Sequence, residues 1–147
     1  MIRRFLFPNY DNTPTGYSII LLLARIIFGS LLLVHGLQKL MSYEYLATIF
    51  PDPLGVGSEF SLILAIFAEF LCSAAFILGI FYRLALLPMI FTMGMALFKI
   101  HAADPFAVKE LALVYLLIFI IMYLTGPGKY AIDHFMSKEN PVLSHAL

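Results

Sequence analysis

Apolar residues along the chain gather into four long runs, at about 17–41, 60–82, 84–100 and 111–126. Each lies near the ~20 residues that carry a helix across ~30 Å of hydrocarbon. Backbone groups in lipid must satisfy one another, so four runs of this length predict membrane-spanning helices rather than barrel strands. The polar punctuation agrees. Pro8, Asn9, Asp11, Asn12, Pro14 and Gly16 make residues 1–16 an irregular lead-in. Pro51, Asp52, Pro53, Gly55 and Gly57 mark a loop over 42–58, long enough for a short interfacial helix around 43–50. The second and third runs join tightly at Phe81–Tyr82–Arg83, residues 101–108 separate the third and fourth, and Gly126–Pro127–Gly128 stops the last. The predicted fold is all-α: a polytopic four-helix membrane bundle over 17–126, with an N-terminal segment 1–16 and a tail 127–147.

Composition sharpens this reading. The chain has 147 residues, 62% hydrophobic and 12% charged, with a mean hydropathy of +0.95. A soluble domain is nearer half apolar and a quarter charged, so neither a soluble fold nor disorder fits. Nine basic residues balance nine acidic ones, which gives no basic excess for nucleic acid. The lead-in is polar and the run after it is too long for the apolar core of a signal peptide. Arg3, Arg4, Arg83, Lys129 and Lys138 fall on the side of the termini, against Lys39, Lys99 and Lys109 opposite. That bias places both termini in the cytoplasm, and the expected location is a bacterial inner membrane.

Charges inside apolar runs need partners, because each costs ~2.5–3.5 kcal/mol at a helix centre. Arg25 lies roughly 12 Å into the first run and Glu69 roughly 20 Å from the end of the second, at ~1.5 Å per residue. An Arg25–Glu69 ion pair is therefore expected in the bundle interior, either fixing helix register or forming the base of a site. Arg25, Gly29, Leu32, Gly36 and Lys39 share one helical stripe, whose glycines allow close helix approach. Glu69, Ser73, Phe76, Gly79 and Arg83 share another. His35, Gln38, Lys39, Lys99, His101, Asp104 and Glu110 gather at the outer end of the bundle, above Glu69 and Arg25. Such a one-ended polar funnel would suit a quinone-like headgroup, which needs hydrogen-bond donors and a proton route. The plainer reading is that helix-end lysines snorkel to the interface.

No metal-ligand spacing occurs, so no metal site is expected. The single cysteine, Cys72, excludes an internal disulfide and reads as a packing residue in an apolar setting. Met89, Met93 and Met95 need not be a copper site, since Met93 points away from Met95 and such sites need converging sulfurs.

Several short segments together resemble a known family. They are Ala24-Arg25 with Gly29, His35-Gly36-Leu37-Gln38-Lys39, Glu69, Leu78-Gly79 through Arg83, and Gly126-Pro127-Gly128-Lys129-Tyr130 through Asp133. Their order and spacing are similar to the DoxX family of small bacterial four-helix membrane proteins, over about 16–135. The resemblance implies a four-helix bundle related to the membrane subunit of a thiosulfate:quinone oxidoreductase. It also implies kinship with proteins placed beside thiol-redox partners and superoxide dismutase at the membrane. With only Cys72, the chain departs from relatives that carry redox-active cysteines, which argues against dithiol chemistry of its own.

Three functions compete. The leading expectation is a redox-associated membrane module that binds a quinone or relays reducing equivalents from a protein partner. Its site candidates are Arg25, His35, Gln38, Lys39, Glu69, Lys99 and His101. The rival is a non-catalytic anchor for partner proteins with a purely structural ion pair. A small-solute transporter ranks third, because four helices without an inverted repeat would need to assemble as a homo-oligomer.

Overall fold

The computed structural model describes residues 12–138, and every regular element among them is helical. The first span is α1 (Thr15–Met41), followed by the short helix α2 (Tyr43–Ile49). The second is α3 (Ser58–Ile66), a π-helical stretch Phe67–Cys72, and α4 (Ser73–Leu78). The third is α5 (Tyr82–Met95) with a second π-helical stretch, Ala96–Ile100. The fourth is α6 (Phe106–Thr125), and α7 (Ile132–Lys138) closes the described chain. All four spans are long and apolar enough to cross a membrane.

Burial on α1 follows one stripe: Ser18, Leu21, Arg25, Gly29, Leu32 and Gly36. The opposite face presents Ile19, Ile20, Leu23, Ile26, Ile27, Leu31 and Val34 outward, as lipid contact requires. The core between the spans is built from Leu32, Phe76, Tyr82, Leu86, Met89, Tyr115, Phe119 and Met122. Its rings interlock: Phe76 stacks on Tyr82 at 5.4 Å and meets Phe119 edge-on at 5.6 Å. Met89 and Met93 are buried packing residues here.

Two boundaries differ from the hydropathy reading. The second span stops at Leu78, four residues early, because Gly79 takes a left-handed conformation (φ 70°) that ends the helix. Apolar residues continue to Tyr82, so hydropathy alone runs through the turn. The fourth helix starts at Phe106, directly after Pro105, placing Lys109 and Glu110 inside it. Pro105 has the fixed φ suited to a helix entry, and charged residues tolerate a first turn at the interface.

Beyond Gly126 the chain folds back into the bundle. Pro127, Ala131, Asp133 and His134 are buried. Asp133 accepts hydrogen bonds from the Phe81 and Tyr82 N–H groups at 2.9 and 2.8 Å, capping the start of α5. Its own N–H donates to the Gly79 carbonyl at 2.9 Å. Burial pushes the Asp133 carboxyl above its ordinary pKa, while these N–H groups and Arg25 pull it back.

Candidate functional site

Arg25 and Glu69 do not meet, and the expected ion pair is replaced by two separate arrangements. The reason is the antiparallel register of the first two spans. A Cβ on Gly29 would fall 2.5 Å from Ile77, and one on Gly36 would fall 2.5 Å from the Phe70 nitrogen. Glu69 therefore sits level with Gly36, eleven residues above Arg25, or about 16 Å at the helical rise. Depth counted from the ends of the apolar runs missed this, because it took the second span to end level with the start of α1, whereas its last turn lies beside Arg25.

Arg25 instead binds backbone at the turn end of the bundle. Its guanidinium donates to the Ile77 carbonyl at 3.0 Å, to Pro127 at 2.9 Å and to Tyr130 at 2.9 Å, with Nε also directed at Ile77. Ile77 lies in the last turn of α4, where carbonyls lack helical partners and a cation is favoured. Arg25 is 1% exposed, and its flat fork of five donors matches three carbonyls from two chain segments.

Glu69 pairs with Lys39, whose ammonium donates to Oε2. Gly36 makes this contact. Without a Cβ, the α1 backbone lies against the Glu69 and Phe70 backbone, and Lys39 follows one turn later on the same stripe. The Glu69 side chain is 6% exposed and that of Lys39 24%, so the pair is largely withdrawn from water. Glu69 sits inside a π-helical stretch, a local irregularity frequent at functional sites.

The pair faces a cavity of about 730 Å³ between the second and third spans. Its walls are mainly apolar: Leu64, Ala65 and Phe67 from one span; Leu87, Pro88, Phe91, Met95 and Ala96 from the other. Phe50, Pro51, Pro53 and Leu54 line its loop side. Leu64, Phe67, Leu87 and Phe91 are also among the outward-facing apolar residues, so the cavity edge lies on the lipid-facing surface. Pro88 has no N–H for the preceding turn of α5, and the second π-helical stretch contributes Ala96 and Ile100. Irregular backbone thus borders the cavity on both sides.

The loop over this end is held by its own polar contacts. Asp52 accepts from Val56 N–H at 3.1 Å, Gly57 N–H at 2.7 Å and the Ser61 hydroxyl at 2.7 Å. The Ser61 bond, then the Gly57 bond, hold the Asp52 carboxyl below its ordinary pKa. Tyr43 donates to Glu59 at 2.9 Å, which raises the phenol's pKa.

Of the seven sequence candidates, the cavity gathers Lys39, Glu69 and His101. His101 bonds Asp104 through Nδ1 at 2.7 Å. His35 turns to the fourth span, edge-on to Tyr115 at 6.3 Å. Gln38 and Lys99 are exposed and do not line the cavity, and Arg25 belongs to the opposite end. Thr92, from the third span, also lines the cavity. The Phe50–Leu54 wall carried no signal beyond its prolines. Among the described residues no cluster of three or more His, Cys, Asp or Glu could hold a metal ion.

The DoxX family's sequence profile matches residues 20–102. The chain belongs to the DoxX family. The matched segment spans the first three membrane helices, with Arg25, Lys39, Glu69 and the cavity walls. The Gly126–Asp133 segment lies outside it. No curated protein and no solved structure matches the chain significantly. The chain is thus a DoxX-family multi-pass membrane protein.

Proposed function

We propose that this protein is a redox-associated membrane module that takes a quinone-like ligand from the bilayer into the cavity between the second and third spans. One observation carries the reading: a mainly apolar cavity of about 730 Å³, bordering the lipid-facing surface, contains a largely buried Lys39–Glu69 pair. Binding sites for small lipophilic molecules have this character, with apolar walls and a few placed polar groups that fix orientation. The family's resemblance to a quinone-linked subunit points the same way. In this reading the Lys39 end faces the periplasm of a bacterial inner membrane. A redox partner docks there, and the termini lie in the cytoplasm.

An anchor for partner proteins is the second reading, and Arg25 favours it. Among the described residues, the bonds Arg25 makes all go to backbone carbonyls, which is a structural role. Passage of a solute through the bundle gains no support, because the 127–133 segment packs across the Arg25 end.

Solvent extraction and mass spectrometry of protein purified in mild detergent test the proposal. The expected result is near-stoichiometric quinone, counted in both oxidation states, with the wild type and little with Ala96→Phe, which fills the cavity. Folded wild-type protein that carries no more quinone than the variant would favour the anchor.

A further inference from the structure

Glu69 presents the cavity with more hydrogen-bonding capacity than its partner uses. A carboxylate offers two oxygens and about four acceptor positions. Lys39 donates to Oε2, and Oε1 accepts no hydrogen bond among the described residues. Oε1 is open to the cavity rather than sealed off without a partner, and a donor brought to a charged acceptor makes a stronger bond than one to a neutral group. The other polar groups on the wall do not fill it. The Ser61 hydroxyl is committed to Asp52, and His101 is bonded to Asp104 through Nδ1, with no bond from its other ring nitrogen to Glu69 among the described residues. The Thr92 hydroxyl, on the third span, makes no hydrogen bond among the described residues.

The charge of the site narrows the ligand further. Lys39 and Glu69 cancel, so an anionic head would compete for Lys39 and strand the carboxylate. A cationic head would strand the ammonium, and a stranded buried charge is strongly unfavourable. A neutral head leaves the pair intact. Phe50, Phe67, Phe91 and Pro88 line the space around it with flat faces, suited to an aromatic ring.

We propose that the cavity selects the hydroquinone form of a lipid-soluble aromatic ligand, whose hydroxyl donates to Glu69 Oε1, over the oxidised carbonyl form. The inference rests on the quinone-like reading above and adds the form preferred. The Lys39 ammonium donates equally well to a hydroxyl or a carbonyl oxygen, so it does not discriminate. Glu69 does: a carbonyl placed against Oε1 sets acceptor against acceptor.

Three probes of nearly one shape test this in nanodiscs: a para-hydroquinone carrying a decyl chain, its dimethyl ether, and the matching quinone. Equilibrium binding to the wild type is expected to favour the hydroquinone about tenfold or more over both others, the worth of one hydrogen bond to a charged group. In Glu69→Gln, checked for fold by circular dichroism, the preference over the quinone is expected to vanish, because an amide donates as well as accepts. Equal or weaker binding of the hydroquinone in the wild type would overturn this inference and leave the quinone-like reading standing. Failure of all three to bind folded protein would overturn both.

Discussion

Replacing Arg25 with methionine is expected to remove folded protein from the membrane. The substitution keeps apolar bulk but strips every donor from the Ile77, Pro127 and Tyr130 carbonyls. Each buried acceptor left unpaired costs about 1–3 kcal/mol. The Pro127 carbonyl bond is buried and those to Ile77 and Tyr130 are partly so. Together they make about 3 kcal/mol or more, a large part of a typical folding free energy. The damage begins where the 127–133 segment docks, so limited proteolysis of detergent-solubilised protein should cut first near Gly126. Lysine recovers only part of the loss, since a compact ammonium lacks the spread of a guanidinium. The double substitution Arg25→Gln with Glu69→Gln separates this account from a buried Arg25–Glu69 pair. Here the two losses in thermal stability should add to within ~0.5 kcal/mol, as for distant sites. A double variant more stable than Arg25→Gln alone would show that the two side chains interact after all.

Gly36→Val is expected to be the next most damaging change. Its Cβ would lie 2.5 Å from the Phe70 nitrogen, 2.6 Å from the Glu69 carbonyl carbon and 2.9 Å from the Glu69 oxygen. All three are backbone atoms inside a helix, so α1 itself must move. Overpacking commonly costs about 1–3 kcal/mol even where side chains can give way, and here they cannot. The same shift draws Lys39 away from Glu69, so ligand retention should fall along with stability. Gly29 is the internal comparison. A Cβ there meets side-chain atoms of Ile77 and Phe76, and Ile77 can change rotamer. Thermal denaturation should therefore rank Gly36→Ala well below Gly29→Ala. Equal midpoints would contradict the close approach at Gly36.

What could be read from the sequence follows from lipid as a solvent. Polar and small residues inside apolar runs turn inward, so the stripe Arg25, Gly29, Leu32, Gly36 appears on the buried face of α1 as its spacing implied. The short helix expected around 43–50 appears as α2. Relative depth between spans was not legible, because hydropathy does not say which residue of one run lies level with which residue of the next. Leu78-Gly79 held the signal: glycine after a helical run is a common C-cap, and its left-handed φ ends the second span beside Arg25. Nor does a local pattern announce the π-helical stretches at Phe67–Cys72 and Ala96–Ile100. Both fall at the cavity, where they turn Glu69 and Ile100 onto its wall. The 127–133 segment looked like tail because it is not apolar. It joins the bundle through backbone carbonyls and Asp133, which no hydropathy average registers.

Whether the space between the second and third spans is a ligand site is tested most directly by photoaffinity labelling. A photoreactive alkyl benzoquinone, offered in both oxidation states, would be irradiated with the protein in nanodiscs and the labelled peptides sequenced. Label is expected in residues 61–69 and 87–101, where the cavity walls lie. Excess unlabelled ligand should suppress it, as should Ala96→Phe, which fills the cavity from the third span. Label spread over the outward face of α1, at Ile19 to Val34, and indifferent to both competitor and Ala96→Phe, would contradict the account.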